Sequence, residues 1–370
     1  MLANPSDLRP PRTAFVIATL RHRLRILMVG GGAVAAAARF STAWGHLLCS
    51  EEDGLDVDRE LTIDVRTDDA ESIAAAQARA SALITLALIG LSAGQGLLFH
   101  AAACADARGA AVLLVGPSGA GKTTAVSHLA GRTSYLSDET CLVDDDGGVV
   151  PYPKPLSVVR AGLEKAQTSP AELGLAIHPS RTAPVARVLV IDRRDEQAAG
   201  PPTVTRLGSV EGILAVIPQL SDLSSLPAPL VALARLNRRI GGFERLVYRD
   251  ARDIDPASGP PASPPLADGD LAYRLAPRRH PHEAGGRGLL QAPVDDAIEF
   301  SDALLTARGG EVTHLSGIAM TVWRETARPT PAAVLLDRLR AEHGRVPDDE
   351  EHFERVIHEL IEAGVLEWRT

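Results

Sequence analysis

Lysine is almost absent from this sequence. Of its 38 lysine and arginine residues only three are lysines, at positions 122, 154 and 165. Cysteine is equally scarce, since the three cysteines have no metal-ligand spacing and cannot all pair with one another. We therefore expect no disulfide framework and no cysteine metal site, and the sequence predicts a reducing, cytoplasmic setting.

Long apolar segments and an excess of positive charge are also missing. The first 11 residues are rich in proline and contain no signal-peptide core, and the most apolar stretch, Ala82–Leu91, is too short to cross a bilayer. The net charge of −9 argues against a general binder of nucleic acid or of anionic membranes. At 370 residues and 45% hydrophobic content, the chain is expected to form about two or three globular domains.

The most informative stretch joins a strand to a helix. An apolar run, Val112–Val115, leads into a glycine-rich turn, and a helix is expected to begin at Lys122. The spacing G-x-x-x-x-G-K-T is that of a P-loop, in which glycines let backbone N–H groups converge on phosphate oxygens at a helix N-terminus. We predict a nucleotide site at Gly116, Ser118, Gly119, Ala120, Gly121, Lys122, Thr123 and Thr124.

Two side chains of this motif have separate tasks. Lys122 is expected to reach the β- and γ-phosphates, and the hydroxyl of Thr123 to hold Mg²⁺. A sequence that otherwise uses arginine has kept lysine here, where a compact ammonium is needed. The alternative interpretation is a glycine-rich turn without a ligand.

An acidic pair follows the next predicted strand. Asp138 and Glu139 come directly after Ser134–Ser137, where carboxylates can face the γ-phosphate. Phosphoryl transfer needs a carboxylate for the metal and, with a hydroxyl acceptor, a group that takes the proton. One residue of the pair could serve each purpose, and a solvated turn or helix cap is the competing interpretation.

One histidine lies close to the motif in sequence. His100 belongs to an apolar run, Leu97–Ala103, which predicts the strand before the P-loop strand. A core histidine with satisfied hydrogen bonds is the simpler interpretation, and a catalytic role is the alternative. The three aspartates at 144–146 are interpreted as a solvated hairpin turn and not as metal ligands.

Changes in composition divide the chain into segments. The N-terminal region is expected to pack on the core, with strands at Leu24–Val29 and Leu61–Val65 and a long helix at 70–93 that Asp69 caps. We predict an N-terminal α/β region at residues 1–94 and a P-loop domain at 95–252. A proline- and glycine-rich linker or large loop follows at 253–290, and a C-terminal module at 291–370.

The C-terminal module has its own pattern of strands followed by helices. Three short strands are predicted at Ile298–Ser301, Ala303–Thr306 and Glu311–Leu315. Three helices are then predicted: one capped by Ser316, one with Pro331 in its first turn and Gly344 after its end, and one from Asp348-Asp349 to Gly364.

Four segments stand out together: Leu98-Phe99-His100-Ala101-Ala102, the P-loop, Leu136-Ser137-Asp138-Glu139 and Tyr152-Pro153-Lys154-Pro155-Leu156-Ser157. In this combination they resemble the HPr serine kinase/phosphorylase superfamily, in particular its HPr-kinase-related branch. The resemblance covers roughly residues 95 to 250. It implies an α/β fold with a P-loop core of the HPr kinase/phosphoenolpyruvate carboxykinase type, ATP and Mg²⁺, and transfer of phosphate to a serine hydroxyl.

The resemblance also implies roles for individual residues. His100 matches the active-site histidine, Asp138 the first acidic residue of the pair, and Glu139 stands where HPr kinase has a second aspartate, the base. Thr123 and Asp138 are then the metal ligands, and Lys154 joins the nucleotide-binding residues. The E-I-R-G-L-G signature is missing, so HPr as the substrate and phosphorylase activity are not expected.

The C-terminal module, a small α+β winged-helix-like domain, resembles PqqD-like domains, which recognise leader segments of ribosomally made, modified peptides. The match rests on three strands, His314-Leu315-Ser316, a helix bearing Val322-Trp323, and two more helices ending in Gly364-Val365-Leu366. In that family the leader adds as a strand to a sheet edge and lies against the third helix. A DNA-binding wing is the alternative, but the acidic last helix would repel phosphate.

The sequence therefore predicts a cytoplasmic, ATP-dependent kinase acting on a serine or threonine of a precursor peptide, whose leader binds residues 291–370. No nucleic-acid or membrane partner is expected, and a homo-oligomer is compatible with the sequence. Two alternatives stay open: a small-molecule kinase, and a nucleotide-binding peptide chaperone or scaffold without transfer chemistry.

Overall fold

A computed structural model describes residues 12–50, 56–159, 165–194, 200–257, 259–279, 286–345 and 349–369. The expectations for residues 1–11 and for Asp348 lie outside the described residues. The chain forms two compact units: the described residues up to Thr205 with Val216–Ser221 and Glu244–Ser263 form the first, and Arg206–Ala215, Asp222–Phe243 and the described residues from Pro264 form the second. Both are mixed α/β structures.

The N-terminal part of the first unit is a sheet covered by helices. Its elements are β1 (Arg12–Thr19), β2 (His22–Val29), α1 (Ala33–Trp44), β3 (Leu48–Cys49), β4 (Arg59–Asp64) and α2 (Ala70–Ser92). The strand order is β3-β1-β2-β4, and only the β2–β4 pair is parallel. The predicted cap of α2 is confirmed, because the Asp69 carboxylate accepts a hydrogen bond from the Ser72 N–H at 2.8 Å.

Helix α2 is apolar on more than one side. Among the described residues it alone is long and apolar enough, by length and composition, to cross a membrane, and half of its most apolar window is buried inside the protein. The expectation of an apolar stretch too short to cross a bilayer therefore does not hold for the helix as a whole. Ile84 and Leu88 of this helix share a core with Leu98, Leu142 and Tyr152. The N-terminal elements therefore pack against the elements that follow them.

The larger sheet of the first unit positions the predicted site. Its elements are β5 (Leu97–Phe99), β6 (Ala101–Ala105), β7 (Ala111–Val115), α3 (Lys122–Ala130), β8 (Tyr135–Ser137), β9 (Cys141–Val143), β10 (Gly148–Val150), β11 (Leu156–Val159), β12 (Lys165–Thr168), β13 (Ala183–Arg193) and β14 (Thr203–Arg206). Further along the chain, β15 (Leu220–Ser221) and β16 (Glu244–Tyr248) join it. The main strand order is β15-β5-β9-β10-β13-β7-β6-β8, with β16 beside β13, whereas β11 and β12 form a separate hairpin.

Two features of this sheet matter for the site. The central strands β7, β13 and β16 are parallel to one another. Strand β7 is buried throughout, β16 alternates buried with half-buried residues, and β13 is buried in its middle and exposed at its carboxyl end. The prediction of one strand over Leu97–Ala103 is wrong, because His100 interrupts the strand and separates β5 from β6. Its backbone N–H donates to the Gln219 carbonyl at 2.7 Å, so β5 pairs with β9 and β15 while β6 pairs with β7 and β8.

The second unit joins helices to a small antiparallel sheet. Its elements are α4 (Ser209–Val216), α5 (Pro229–Arg239), β17 (Arg274–Leu275), β18 (Gly288–Gln291), β19 (Asp296–Glu299), β20 (Ala303–Arg308), β21 (Glu311–Ser316), α6 (Ile318–Glu325), α7 (Ala332–His343), α8 (Asp349–Glu362) and β22 (Leu366–Arg369). The sheet order is β17-β19-β20-β21, and β18 pairs separately with β22. The core contains Trp323, Leu335, Phe353, Ile357 and Leu360.

The predicted order of three strands and three helices is confirmed, with two local corrections. Ser316 does not cap α6: it ends β21, and Gly317 precedes the helix without a side-chain cap. Pro331 is not in the first turn of α7 but is the residue before it, at the N-cap position. In the expected linker, Arg187 on β13 donates to the carbonyls of Pro260 and Pro261, each at 2.8 Å. This part of the proline-rich segment is therefore a fixed loop. The domain boundaries drawn from the sequence stay predictions.

Candidate active site

The glycine-rich loop Gly116–Gly121 (the 116–121 loop) connects β7 to α3. Gly119 and Gly121 have φ angles of 84° and 92°, in the left-handed region that favours glycine. Helix α3 begins directly after Gly121, so the N–H groups of its first turn are free of helical partners. Strand, turn and helix thus follow one another as a phosphate-binding loop requires.

One cleft of about 770 Å³ collects most of the predicted residues, and this is an ordinary size for a ligand site. Its lining includes His100, Ser118, Gly119, Gly121, Lys122, Thr123, Thr124, Asp138, Glu139 and Lys154. Ser127, Ser157, Val158, Leu173, Leu175 and Arg193 complete the wall. Gly116 and Ala120 of the loop are not part of the lining: Gly116 is buried, and the Ala120 carbonyl accepts a hydrogen bond from the Tyr248 hydroxyl at 3.4 Å.

The Lys122 ammonium lies against the start of the loop. It donates to the carbonyl oxygens of Gly116 at 2.6 Å and Pro117 at 3.1 Å. Burial lowers its pKa, and the carboxylates of Glu139 and Asp138 act in the opposite direction. The backbone of the 116–121 loop therefore holds the Lys122 ammonium inside the cleft.

Asp138 and Thr123 form a pair of oxygen ligands beside the loop. The Thr123 hydroxyl donates to Asp138 Oδ2 at 3.5 Å, and Asp138 is only 6% exposed. Within the described residues no group of three or more His, Cys, Asp or Glu side chains could hold a metal ion. This oxygen pair suits Mg²⁺, which commonly binds proteins through one or two carboxylates and completes its shell with substrate phosphates and water.

Lys154 binds the acidic pair. Its Nζ lies 2.6 Å from Glu139 Oε2 and 3.8 Å from Asp138 Oδ1, and the residue is only 4% exposed. Burial lowers the pKa of Lys154, but the two carboxylates outweigh it and raise the pKa above its ordinary value. At Asp138 burial is the stronger influence, so the pKa of this carboxyl is raised despite Lys154. The role of Lys154 as a nucleotide ligand stays a prediction.

The two acidic residues differ in exposure. The Asp138 side chain is 5% exposed and lies 3.2 Å from the Tyr135 hydroxyl, whereas the Glu139 side chain is 38% exposed toward the cleft. A buried carboxylate beside Thr123 is suited to a metal, and an accessible one can reach a substrate hydroxyl. The geometry therefore offers a different chemical task to each residue.

Helix α2 supports this arrangement from the N-terminal region. The Lys154 ammonium also lies 3.4 Å from the Ser81 hydroxyl, and the Thr85 hydroxyl lies 2.9 Å from the hydroxyl of Tyr152. Burial raises the pKa of Tyr152, so its hydroxyl stays protonated and needs a partner. Through these contacts α2 positions the segment that carries Lys154.

His100 lies at the break between β5 and β6 and lines the cleft. Burial lowers its pKa, the positive charge of Lys122 lowers it further, and Glu139 acts against both. The imidazole is therefore neutral at pH 7. A neutral ring can donate or accept a hydrogen bond without adding a charge beside Lys122.

The sequence did not single out two of these residues. Ser81 reaches Lys154 across 73 positions of the chain, and nothing in the pattern of α2 marks it. Arg193 lines the cleft from the carboxyl end of β13. Strand β13 is parallel to β7, and the carboxyl ends of neighbouring parallel strands open at the same sheet edge. The apolar run before Arg193 was therefore a signal in the sequence that could have placed this residue at the cleft.

Three comparisons with known proteins bear on the chain. A family model described as "SynChlorMet cassette protein ScmC" matches residues 65–199, less than half of the chain and a range that contains the 116–121 loop, the acidic pair and Lys154. No curated protein was found to match. Among solved structures, the Hpr(Ser) kinase/phosphatase from Coxiella burnetii is 13% identical over 41% of this chain and 85% of that one, with a TM-score of 0.22. A score this low carries no argument about function.

Proposed function

We propose that the chain is an ATP-dependent kinase that phosphorylates a serine or threonine of a ribosomally made peptide. The observation that carries the proposal is the cluster of Thr123, Asp138, Glu139 and Lys154 in one cleft with the 116–121 loop. A nucleotide loop alone specifies no reaction. The added carboxylates supply what transfer to a hydroxyl needs, a metal ligand and a proton acceptor.

In the proposed reaction the acceptor oxygen attacks the γ-phosphorus of ATP. The bond from this oxygen to phosphorus forms, the bond from phosphorus to the β,γ-bridging oxygen breaks, and ADP leaves. The hydroxyl proton goes to the carboxylate of Glu139, which Lys154 holds in place at 2.6 Å. Lys122 binds the β- and γ-phosphates, and Thr123 and Asp138 would hold Mg²⁺, which offsets negative charge on the phosphates.

The second unit supports a peptide as the acceptor. In the described residues β21 pairs only with β20, so one edge of this strand is open to a further strand. The helix that would lie against such a leader, α8, carries Asp349, Glu350 and Glu351 in its first turn. The matched family model is described as a cassette protein, which is compatible with a substrate encoded in the same cassette.

Leader dependence tests the peptide part of the proposal. Bound leader makes the encounter with the acceptor residue intramolecular, so a peptide with its leader should have kcat/KM about 10² or more above the same peptide without it. The measurement is initial-rate phosphorylation of both forms of candidate precursor peptides encoded by neighbouring genes. Equal kcat/KM for the two forms would contradict leader recognition, and phosphorylation of small hydroxyl compounds alone would favour the small-molecule kinase.

A further inference from the structure

Arg193 brings a further cation into the cleft. It ends β13, whose Val190 pairs in parallel with Val115, the last residue of β7 before the 116–121 loop. The carboxyl ends of these neighbouring strands therefore open at the same sheet edge. Arg193 is exposed and lines the cleft together with Lys122.

The side chain of Arg193 is positioned by a hydrogen bond from its Nε and by packing of its Cδ beside Gly121. Its Nε donates to the backbone oxygen of Arg249 at 3.2 Å. A Cβ placed on Gly121 would lie 3.5 Å from Arg193 Cδ and 3.2 Å from the Tyr248 hydroxyl, so the two side chains pack closely on the loop just before α3. The guanidinium is thus fixed at one end beside the start of the helix.

Arg193 forms no ion pair with a carboxylate of the described residues, although its charge is one of the causes that lower the pKa of Asp250. Within the described residues no acidic group lies in ion-pair range of its guanidinium, and its terminal nitrogens have no hydrogen-bond acceptor. The nearby Asp250 is bound by Arg252, whose Nε and terminal nitrogen lie 3.0 Å and 2.7 Å from its two oxygens. By contrast, the Lys154 ammonium forms ion pairs with the carboxylates of Glu139 and Asp138.

We infer that Arg193 binds the phosphate chain of the nucleotide. The inference rests on the proposed function, because it assumes that the 116–121 loop holds a nucleotide. A triphosphate brings several negative charges into a cleft where the Lys154 charge is already balanced. A guanidinium with both terminal nitrogens free can donate two hydrogen bonds to phosphate oxygens, which makes it the complementary group for this charge.

Nucleotide binding without any acceptor tests the inference. Fluorescence titration of the full chain with N-methylanthraniloyl-ADP and Mg²⁺ compares wild type with Arg193→Gln, Arg193→Lys and the matched control Arg194→Gln, an exposed neighbour outside the cleft lining. We expect Arg193→Gln to lower the nucleotide affinity about tenfold or more and to make this affinity less dependent on salt. Arg193→Lys should lower the affinity less than Arg193→Gln does. The affinity of Arg194→Gln should stay within about twofold of wild type.

The outcomes separate this inference from the proposed function. Equal affinities for Arg193→Gln and Arg194→Gln would overturn the role of Arg193 and leave phosphate transfer untouched. Tight wild-type binding that depends on Arg193, without transfer to any peptide, would support this inference while overturning the kinase. Absence of nucleotide binding by the wild-type chain would overturn both.

Discussion

Replacement of Glu139 by glutamine is expected to lower kcat for phosphate transfer by about 10²–10⁴-fold, the usual contribution of a positioned base. Glutamine keeps the shape of the side chain and an oxygen for Lys154, which lies 2.6 Å from the carboxylate, but it cannot take up the hydroxyl proton. Nucleotide affinity should stay within a few-fold of wild type, because Lys122 and the loop are unchanged. Initial rates at saturating ATP and peptide, with a separate nucleotide titration, give both quantities.

The matched control is Glu71→Gln, in the first turn of α2, where an exposed glutamate lies outside the cleft lining. This control should leave kcat unchanged. A Glu139→Gln chain that retains the wild-type kcat would contradict the role of Glu139 as the base. A wild-type chain that binds nucleotide and peptide but transfers nothing would favour the scaffold.

Replacement of Lys154 by methionine is expected to lower the free energy of unfolding by about 3–5 kcal/mol, the usual cost of removing one partner of a buried ion pair. Asp138 would then keep a buried charge whose nearest cation is gone. In the folded protein the pKa of Lys154 is raised above its ordinary value of 10.5. The stabilisation from its ion pairs is therefore complete below pH 10.5 and is lost as the pH rises through the pKa that Lys154 has in the folded protein. Urea unfolding near pH 7 therefore measures the whole contribution of Lys154 to the free energy of unfolding.

A double variant and a surface control sharpen this prediction. Adding Asp138→Asn removes the uncompensated charge, so the Lys154→Met/Asp138→Asn chain should be more stable than Lys154→Met alone. The control Arg21→Met breaks the half-exposed ion pair with Asp144 and should cost less than about 1 kcal/mol. A Lys154→Met chain as stable as Arg21→Met would contradict the structural role of Lys154.

The parts of the fold that follow from neighbouring residues could be predicted from the sequence. The apolar run before Gly116 and the helix from Lys122 are local patterns, and so is the Asp69 cap. Pairings between distant segments leave no such pattern. Strand β18 pairs with the distant β22, from Gly288 opposite Arg369 to Gln291 opposite Leu366. The interruption between β5 and β6 coincides with a hydrogen bond from His100 to Gln219.

The same distinction holds in the candidate site. The spacing of the P-loop motif and the adjacent acidic pair placed Lys122, Thr123, Asp138 and Glu139 near one another, and the structure brings them into one cleft. The contact of Lys154 with Glu139 arises because the segment before β11 returns to β8, where the Tyr152 N–H donates to the Leu136 carbonyl at 3.0 Å, and only the tertiary structure reveals this. Ser81 contributes from the N-terminal region for the same reason.

The proposed function requires this cleft to transfer phosphate from ATP to a peptide hydroxyl. The direct measurement is transfer from ATP labelled at the γ-phosphate to a precursor peptide by the full wild-type chain and by Lys122→Ala, with the modified residue located by mass spectrometry. We expect a labelled serine or threonine with wild type and only background labelling with Lys122→Ala. Labelling by Lys122→Ala at the wild-type rate would contradict the proposed function.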